Sequence, residues 1–128
     1  MMNITKGDLI DLIASAQSLL NPNSSTLSLY EQARTVYTGL VPQRQGQTDR
    51  LVLGGYIVLL EGSLSYDEIA NPDKCQKANL LLPKKGLELF LQDLLAEGGM
   101  DPAQTKKETS RLLRRFSKPA KIHRKLMC

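Results

Sequence analysis

Residues 87–99 read LELFLQDLLAEGG and carry the clearest helix signal in the chain. Apolar side chains recur in this stretch at the i, i+3, i+4, i+7 and i+8 positions, which share one helical face. They are Leu87, Phe90, Leu91, Leu94 and Leu95. Gly98-Gly99 ends the pattern, because glycine readily adopts the conformation that closes a helix. The stretch therefore predicts an amphipathic helix that packs one face on a leucine-rich core.

A further helix is predicted directly after the glycine pair. Asp101 is a good N-cap residue and Pro102 suits the first helical position, so we expect the helix to begin there and run to about residue 116. Its apolar side consists of Leu112, Leu113 and Phe116 only. Most of the circumference of this helix is therefore charged.

Two helices are predicted before residue 43. The first is capped by Thr5 with Asp8 three residues on, and the run NPNSS at 21–25 ends it. The second opens at Ser28 with Glu31 as its reciprocal capping partner, and Pro42 ends it. Both helices carry an apolar stripe at helical spacing, so both are expected to pack on the core.

Residues 51–60 read LVLGGYIVLL and are apolar nearly throughout. A helix is favoured, in which Gly54-Gly55 allows another backbone to approach closely. A buried strand is the competing interpretation, because Tyr56, Ile57 and Val58 are good strand formers. An apolar run of this length does not distinguish the two by its periodicity.

Residues 62–83 are interpreted as a β-hairpin. Leu64 and Tyr66 follow a strand-like alternation, and a short apolar run at 80–82 precedes a proline. The turn residues Asn71-Pro72-Asp73 give this hairpin a polar tip at 71–77. The predicted fold is therefore mainly α, with about five helices and a small β-hairpin. A helical core domain is expected over 1–100 and a basic C-terminal helix and tail over 101–128.

The order helix, helix, helix, hairpin, helix, together with the run LLLPKKGLEL at 80–89, resembles winged-helix transcriptional regulators of the MarR and PadR type. The resemblance is partial and covers about residues 62–95. It implies a DNA-binding regulator in which the helix before the wing reads the major groove and the wing follows the backbone. This chain departs from that pattern, since residues 48–60 are almost wholly apolar after Arg50, whereas a groove-reading helix needs polar and basic side chains. A second alignment, which excludes the first, starts a helix-turn-helix at Leu64.

Charge is divided unevenly along the chain. Residues 105–128 contain nine Lys or Arg and a single acid, Glu108, and so carry a net charge of +8. Residues 1–104 contain eight basic and twelve acidic side chains, a net charge of −4. A basic segment on an acidic body indicates an anionic partner: a nucleic acid, a membrane surface or an acidic protein surface.

The basic side chains of this segment are the predicted phosphate-binding residues. Such cations neutralise phosphates and release counterions without choosing a base sequence. They are Lys106, Lys107, Arg111, Arg114, Arg115, Lys118, Lys121, Arg124 and Lys125. Lys84 and Lys85, at the beginning of the 87–99 helix, are second-tier candidates. Lys74 and Lys77 would add backbone contacts if the 62–83 hairpin is a wing.

No motif in the sequence points to catalysis or to a cofactor. His123 lies in the basic tail, and neither glycine pair has the spacing of a phosphate-cradling loop. A zinc site needs about four ligands, which two cysteines and one histidine do not supply. The longest apolar run is too short to span a bilayer, and the beginning of the chain is not a signal peptide. We therefore expect a non-enzymatic protein without metal or cofactor in the cytoplasm, or in the nucleus of a eukaryotic host.

The sequence favours a small nucleic-acid-binding protein that acts on DNA rather than RNA and forms a homodimer. The alternative is a protein–protein interaction module, such as an adaptor, a chaperone or a phage-type inhibitor, that binds an acidic or helical partner surface. Its mark would be an exposed apolar patch around Leu112, Leu113 and Phe116. The salt dependence of binding distinguishes the two hypotheses, because the affinity for phosphates falls steeply with salt and that of an apolar interface does not.

Overall fold

The computed structural model describes residues 2–40, 50–53, 56–60 and 65–116. Within these residues the chain forms four strands and five helices. In chain order they are β1 (Met2–Thr5), α1 (Lys6–Leu20), α2 (Thr26–Leu40), β2 (Arg50–Leu53), β3 (Tyr56–Leu60), α3 (Tyr66–Ala70), β4 (Asn79–Leu82), α4 (Lys84–Glu97) and α5 (Pro102–Phe116). The fold is mainly helical with a small antiparallel hairpin, β2–β3, which confirms the predicted fold class.

Helix α1 organises the helical part, because it packs on α2, α4 and α5. Its beginning is the predicted one: the Thr5 hydroxyl accepts a hydrogen bond from the backbone N–H of Asp8 at 3.0 Å. Leu9, Leu12 and Ile13 on its inner face are fully buried. Burial of a side chain of this size stabilises the fold by about 1.5–3 kcal/mol.

Helix α2 begins two residues before the predicted position. The Ser25 hydroxyl accepts a hydrogen bond from the backbone N–H of Ser28 at 3.1 Å, so Ser25 is the cap and Ser28 is the third helical residue. The predicted capping pair of Ser28 and Glu31 is therefore wrong. Residues 24–28 read SSTLS, so hydroxyl side chains stand at several candidate cap positions. Ala33 and Tyr37 of α2 are fully buried.

The four strands form one antiparallel sheet in the order β1-β4-β3-β2. β1 pairs with β4, with Met2 opposite Leu82 and Ile4 opposite Leu80, and these four side chains are buried. Asn3 between them is exposed. One face of the β1–β4 pair therefore packs on the core while the other faces solvent.

Residues 50–53 and 56–60 are strands, so the favoured helix interpretation of 51–60 is wrong and the competing strand interpretation is confirmed. β2 and β3 pair with each other at four positions, so each strand has a neighbour close in sequence, and β3 also has one that is distant. β3 pairs with β4, where Leu59 lies opposite Leu81 in the register. This neighbour gives a run of strand-forming residues its main-chain hydrogen bonds. Gly54 and Gly55 lie outside the described residues.

The hairpin predicted over 62–83 is wrong, because residues 66–70 are helical. The Ser65 hydroxyl accepts from the backbone N–H of Glu68 at 3.1 Å, and the Ser65 N–H donates to the Glu68 carboxylate at 2.9 Å. This capping box starts α3 and overrides the weak alternation at Leu64 and Tyr66. The predicted hairpin tip, residues 71–77, lies in the connection between α3 and β4. The winged-helix resemblance over 62–95 stays a prediction.

Helices α4 and α5 begin and end close to the predicted positions. The Asp101 carboxylate accepts from the backbone N–H of Gln104 at 3.0 Å, which confirms the predicted N-cap. Gly99, in the connection between the helices, has a φ of 101°, a conformation that side-chain-bearing residues rarely adopt. A Cβ atom at Gly98 would clash with the side chain of Leu20, so the end of α4 lies directly against the end of α1.

Buried hydrogen bonds join α3 and the residue after it to α1 and α2. Lys6 is fully buried, and its ammonium group donates to the backbone carbonyls of Glu68 at 2.5 Å and Asn71 at 2.6 Å. The Tyr37 hydroxyl donates to the carbonyl of Ile69 at 2.7 Å, and burial raises the pKa of this hydroxyl. These donors satisfy carbonyls at the end of α3, where a helix leaves its last carbonyls unpaired.

Candidate anion-binding face of helix α5

Helix α5 is docked on the body of the protein by one side. It packs against α4 and α1. Leu112 and Leu113 are only 4% and 5% exposed and belong to the hydrophobic core. The polar residues Thr105, Glu108 and Thr109 are buried on the same side. The helix is therefore ordered by its own core contacts, and its opposite side faces solvent.

The solvent side of α5 carries all five of its cations. We call this set the α5 basic face: Lys106, Lys107, Arg111, Arg114 and Arg115, each of which is exposed. Residues 107, 111 and 114 follow i, i+4 and i+7 spacing and so form one stripe. At 1.5 Å of rise per residue, this stripe is about 10 Å long. The face therefore presents an array of positive charge rather than scattered cations.

Three cations of this face have no hydrogen-bond or ion-pair partner within the described part of the chain: Lys106, Lys107 and Arg114. Exposed, unpaired ammonium and guanidinium groups are the donors that phosphates accept most readily. No side chain among the described residues would therefore compete with an incoming anion for these three cations.

Arg111 is held in place by a buried acid. The Glu108 side chain is only 7% exposed, and its carboxylate lies 2.9 Å from Arg111 Nη2. Gln104 Nε2 donates to the same carboxylate at 2.8 Å. The Arg111 side chain is itself 60% exposed, and a guanidinium has five N–H donors in all. Glu108 thus fixes the position of Arg111 while leaving part of its guanidinium turned to solvent.

The buried side of α5 also contains an unsatisfied hydroxyl. Thr109 is fully buried, and its Oγ1 has no hydrogen-bond partner among the described residues. Thr105, one turn earlier, donates its hydroxyl to the carbonyl of Met100 at 3.3 Å. Buried hydroxyls are usually paired, so Thr109 marks a place where the packing of α5 is not optimal for stability.

The other predicted phosphate ligands lie on different elements. Lys84 and Lys85 are exposed in the first turn of α4, and Lys85 Nζ lies 3.9 Å from the Glu88 carboxylate. Lys74 and Lys77 are exposed in the connection between α3 and β4. Lys74 Nζ lies 2.5 Å from the Asp67 carboxylate, and this hydrogen bond raises the pKa of Lys74.

Four predicted ligands, Lys118, Lys121, Arg124 and Lys125, lie outside the described residues. The exposed apolar patch expected of an interaction module is not formed by Leu112 and Leu113, because both are in the core. Sequence reasoning missed Gln104 and Glu108 as residues that position Arg111. The i, i+4 and i+7 spacing of residues 104, 108 and 111 was the available signal.

Within the described ranges, no group of three or more His, Cys, Asp or Glu side chains could hold a metal ion. No helix there is long and apolar enough to cross a membrane. Comparisons of the chain with protein-family models, with curated proteins and with solved structures found no match.

Proposed function

We propose that this protein is non-enzymatic and binds the phosphate backbone of nucleic acid through the α5 basic face and the basic residues that follow it. The observation that carries the proposal is the division of α5 into two sides. Its apolar residues Leu112 and Leu113 are buried in the core, and its five cations are all exposed. A helix built in this way supplies a fixed array of charge without first having to fold on its partner.

The expected binding is electrostatic and without base preference. Each neutralised phosphate of a duplex releases counterions and contributes about −0.9 to the slope of log K against log salt. Five contacts from the α5 basic face would give a slope of about −4 to −5. Residues 118–125 would steepen it further. Phosphate contacts of this kind position a protein on nucleic acid, while base edges supply specificity.

The choice of DNA over RNA rests on the winged-helix resemblance. The same resemblance extends the proposal to a regulator that acts as a homodimer in the cytoplasm, or in the nucleus of a eukaryotic host. An acidic protein surface is the competing partner. The burial of Leu112 and Leu113 counts against an apolar interface at this position, because neither side chain is available to a partner.

Fluorescence anisotropy tests the proposal with labelled duplex DNA, single-stranded DNA and RNA of one sequence, each at low and moderate salt. The wild-type chain is compared with K107Q/R114Q, which removes two charges from side chains without partners. The matched control is R34Q/K77Q, which removes two charges from α2 and from the α3–β4 connection.

We expect tight binding at low salt, a steep salt dependence, and a smaller slope in K107Q/R114Q than in the wild-type chain. The control variant should lose little affinity beyond the loss that its lower net charge causes in general. No binding of the wild-type chain to any of the three ligands at low salt would overturn the proposal. Equal losses of affinity in the two variants would show that the α5 basic face is not the binding site. The chain would then be tested against acidic protein partners.

A further inference from the structure

Helices α4 and α5 form an antiparallel hairpin with one closed and one open end. Only four residues, 98–101, connect them, and a connection this short joins antiparallel neighbours. Gly98 at the closed end lies against Leu20, the last residue of α1. The helices have 14 and 15 residues and so match in length. The first turn of α4 and the last turn of α5 therefore lie at the same end, about 20 Å from the connection.

The exposed acids of this hairpin are concentrated towards its closed end, whereas the exposed cations of α5 extend from Lys106 to Arg115. The closed end carries the exposed acids Asp93, Glu97 and Asp101. The open end carries Lys84 and Lys85 from α4 together with Arg114 and Arg115 from α5, all exposed. Residues 84–85 and 114–115 are about 30 positions apart in sequence, so only the hairpin geometry brings them to one end.

The first turn of α4 is an unfavourable place for two lysines. The backbone N–H groups at a helix N-terminus carry partial positive charge, which repels cations by a few tenths of a kcal/mol. No side chain caps this helix, so its first N–H groups add to the positive potential of the open end. A phosphate at this end would meet ammonium, guanidinium and backbone donors together, and its charge would offset their mutual repulsion.

We infer that the open end of the α4–α5 hairpin is a single phosphate-binding site in which Lys84 and Lys85 act together with Arg114 and Arg115. The backbone of a nucleic-acid duplex then crosses the open end instead of running along the whole length of α5. A strand laid along α5 would pass Lys106 and Lys107, but it would then carry its phosphates to Asp101 and Glu97, where like charges repel. This inference rests on the proposed function and assigns the place and direction of that binding.

Two charge-matched variants distinguish the two paths of the duplex. K84Q/K85Q removes two lysines from the open end, and K106Q/K107Q removes two lysines from the first half of α5. Both are measured on the full chain by anisotropy with the labelled DNA duplex over a salt series. Thermal unfolding followed by circular dichroism shows that each variant is folded. The combined variant K84Q/K85Q/R114Q tests whether the two helices serve one site.

The open-end site predicts that K84Q/K85Q weakens DNA binding roughly tenfold at moderate salt and lowers the salt slope by about 2. K106Q/K107Q should lose clearly less affinity than K84Q/K85Q at every salt concentration, and adding R114Q to K84Q/K85Q should give a non-additive loss. A loss in K106Q/K107Q that equals or exceeds the loss in K84Q/K85Q would overturn the inference and leave the proposed function intact. A wild-type chain that binds no duplex at low salt would instead overturn the proposed function.

Discussion

The ammonium group of Lys6 lies 2.6 Å from the backbone carbonyl oxygen of Asn71. Lys6 is the first residue of α1, and Asn71 follows the last residue of α3, so the contact joins segments 65 positions apart. The same ammonium group donates to the carbonyl of Glu68. Lysine is among the side chains least often fully buried, and its burial here is balanced by these bonds at the end of α3.

Replacing Lys6 by Met is expected to lower the free energy of unfolding by about 2 kcal/mol. The apolar chain of Met fills similar space, but the Glu68 carbonyl loses the ammonium donor, and the Asn71 carbonyl is left with the backbone N–H of Lys74 at 3.2 Å. Urea unfolding measures the change. The matched control is Lys77→Met, at an exposed position of the α3–β4 connection, which should stay within about 0.5 kcal/mol of the wild type. Similar losses of unfolding free energy in both variants would show that the buried Lys6 contact does not contribute to stability.

Replacing Thr109 by Val is expected to raise the free energy of unfolding by about 1 kcal/mol. Valine has nearly the shape of threonine and removes a buried hydroxyl that has no partner in the described structure. Thr105→Val is the matched control, because it removes a hydroxyl that donates to the Met100 carbonyl. The control should be destabilised by about 1 kcal/mol. A loss of stability in Thr109→Val would mean that its hydroxyl is satisfied in solution.

Two signals confined to a few neighbouring residues predict the structure correctly, although the equally local capping pair of Ser28 and Glu31 does not. The N-caps Thr5 and Asp101 are of this kind, since each needs only a side chain and an N–H group three residues on. The run at 51–60 is predicted to be a helix and is a strand pair instead, because its strands are held by the pairing of β2 with β3 and of β3 with β4. An apolar run has no periodicity from which a distant partner could be inferred.

The cationic side of α5 could be predicted because charge is visible in the sequence. The residues that hold the helix in place could not all be predicted, because Glu108 and Thr109 are polar and yet buried. Their burial follows from the packing of α1 and α4 against α5. The burial of Lys6 could not be predicted either. Hydropathy alone predicts an exposed lysine, and the backbone carbonyls that balance its burial lie far along the chain.

Stability is expected to fall as the pH rises from 10 towards 12. The Tyr56 hydroxyl donates to the Asp93 carboxylate at 2.6 Å, and this hydrogen bond raises the pKa of Tyr56 from 10.0 to about 12. The bond to Asp11 likewise raises the pKa of Tyr30. The folded protein therefore binds these protons more tightly than the unfolded chain. The resulting stabilisation is complete below pH 10 and is lost as the pH rises through the folded-state pKa.

Urea unfolding at a series of alkaline pH values checks this dependence, with Tyr56→Phe as the comparison. Phenylalanine keeps the ring contact with Phe90, whose centroid lies 6.3 Å from that of Tyr56, but it has no proton to lose. The variant should be less stable than the wild type at neutral pH and should lose less stability between pH 10 and pH 12. Parallel pH profiles for the two proteins would contradict the assignment to Tyr56.

Two arginines of the α5 basic face should differ in their effect on stability, although they carry the same charge. Arg111→Gln removes the guanidinium beside the buried Glu108 carboxylate, which then keeps only the Gln104 amide as a side-chain partner among the described residues. Because a buried carboxylate is costly when its cation is removed, we expect a loss of about 1 kcal/mol after allowing for the exposure of Arg111. Arg114→Gln removes an exposed side chain without a described partner and should change stability by less than about 0.5 kcal/mol.

Urea unfolding of both variants at neutral pH and low salt measures the difference, and equal stabilities would mean that Glu108 does not depend on Arg111. If the difference is found, Arg114→Gln is the cleaner probe of phosphate binding, because a weaker affinity in Arg111→Gln could then arise from a displaced helix as well as from a lost contact.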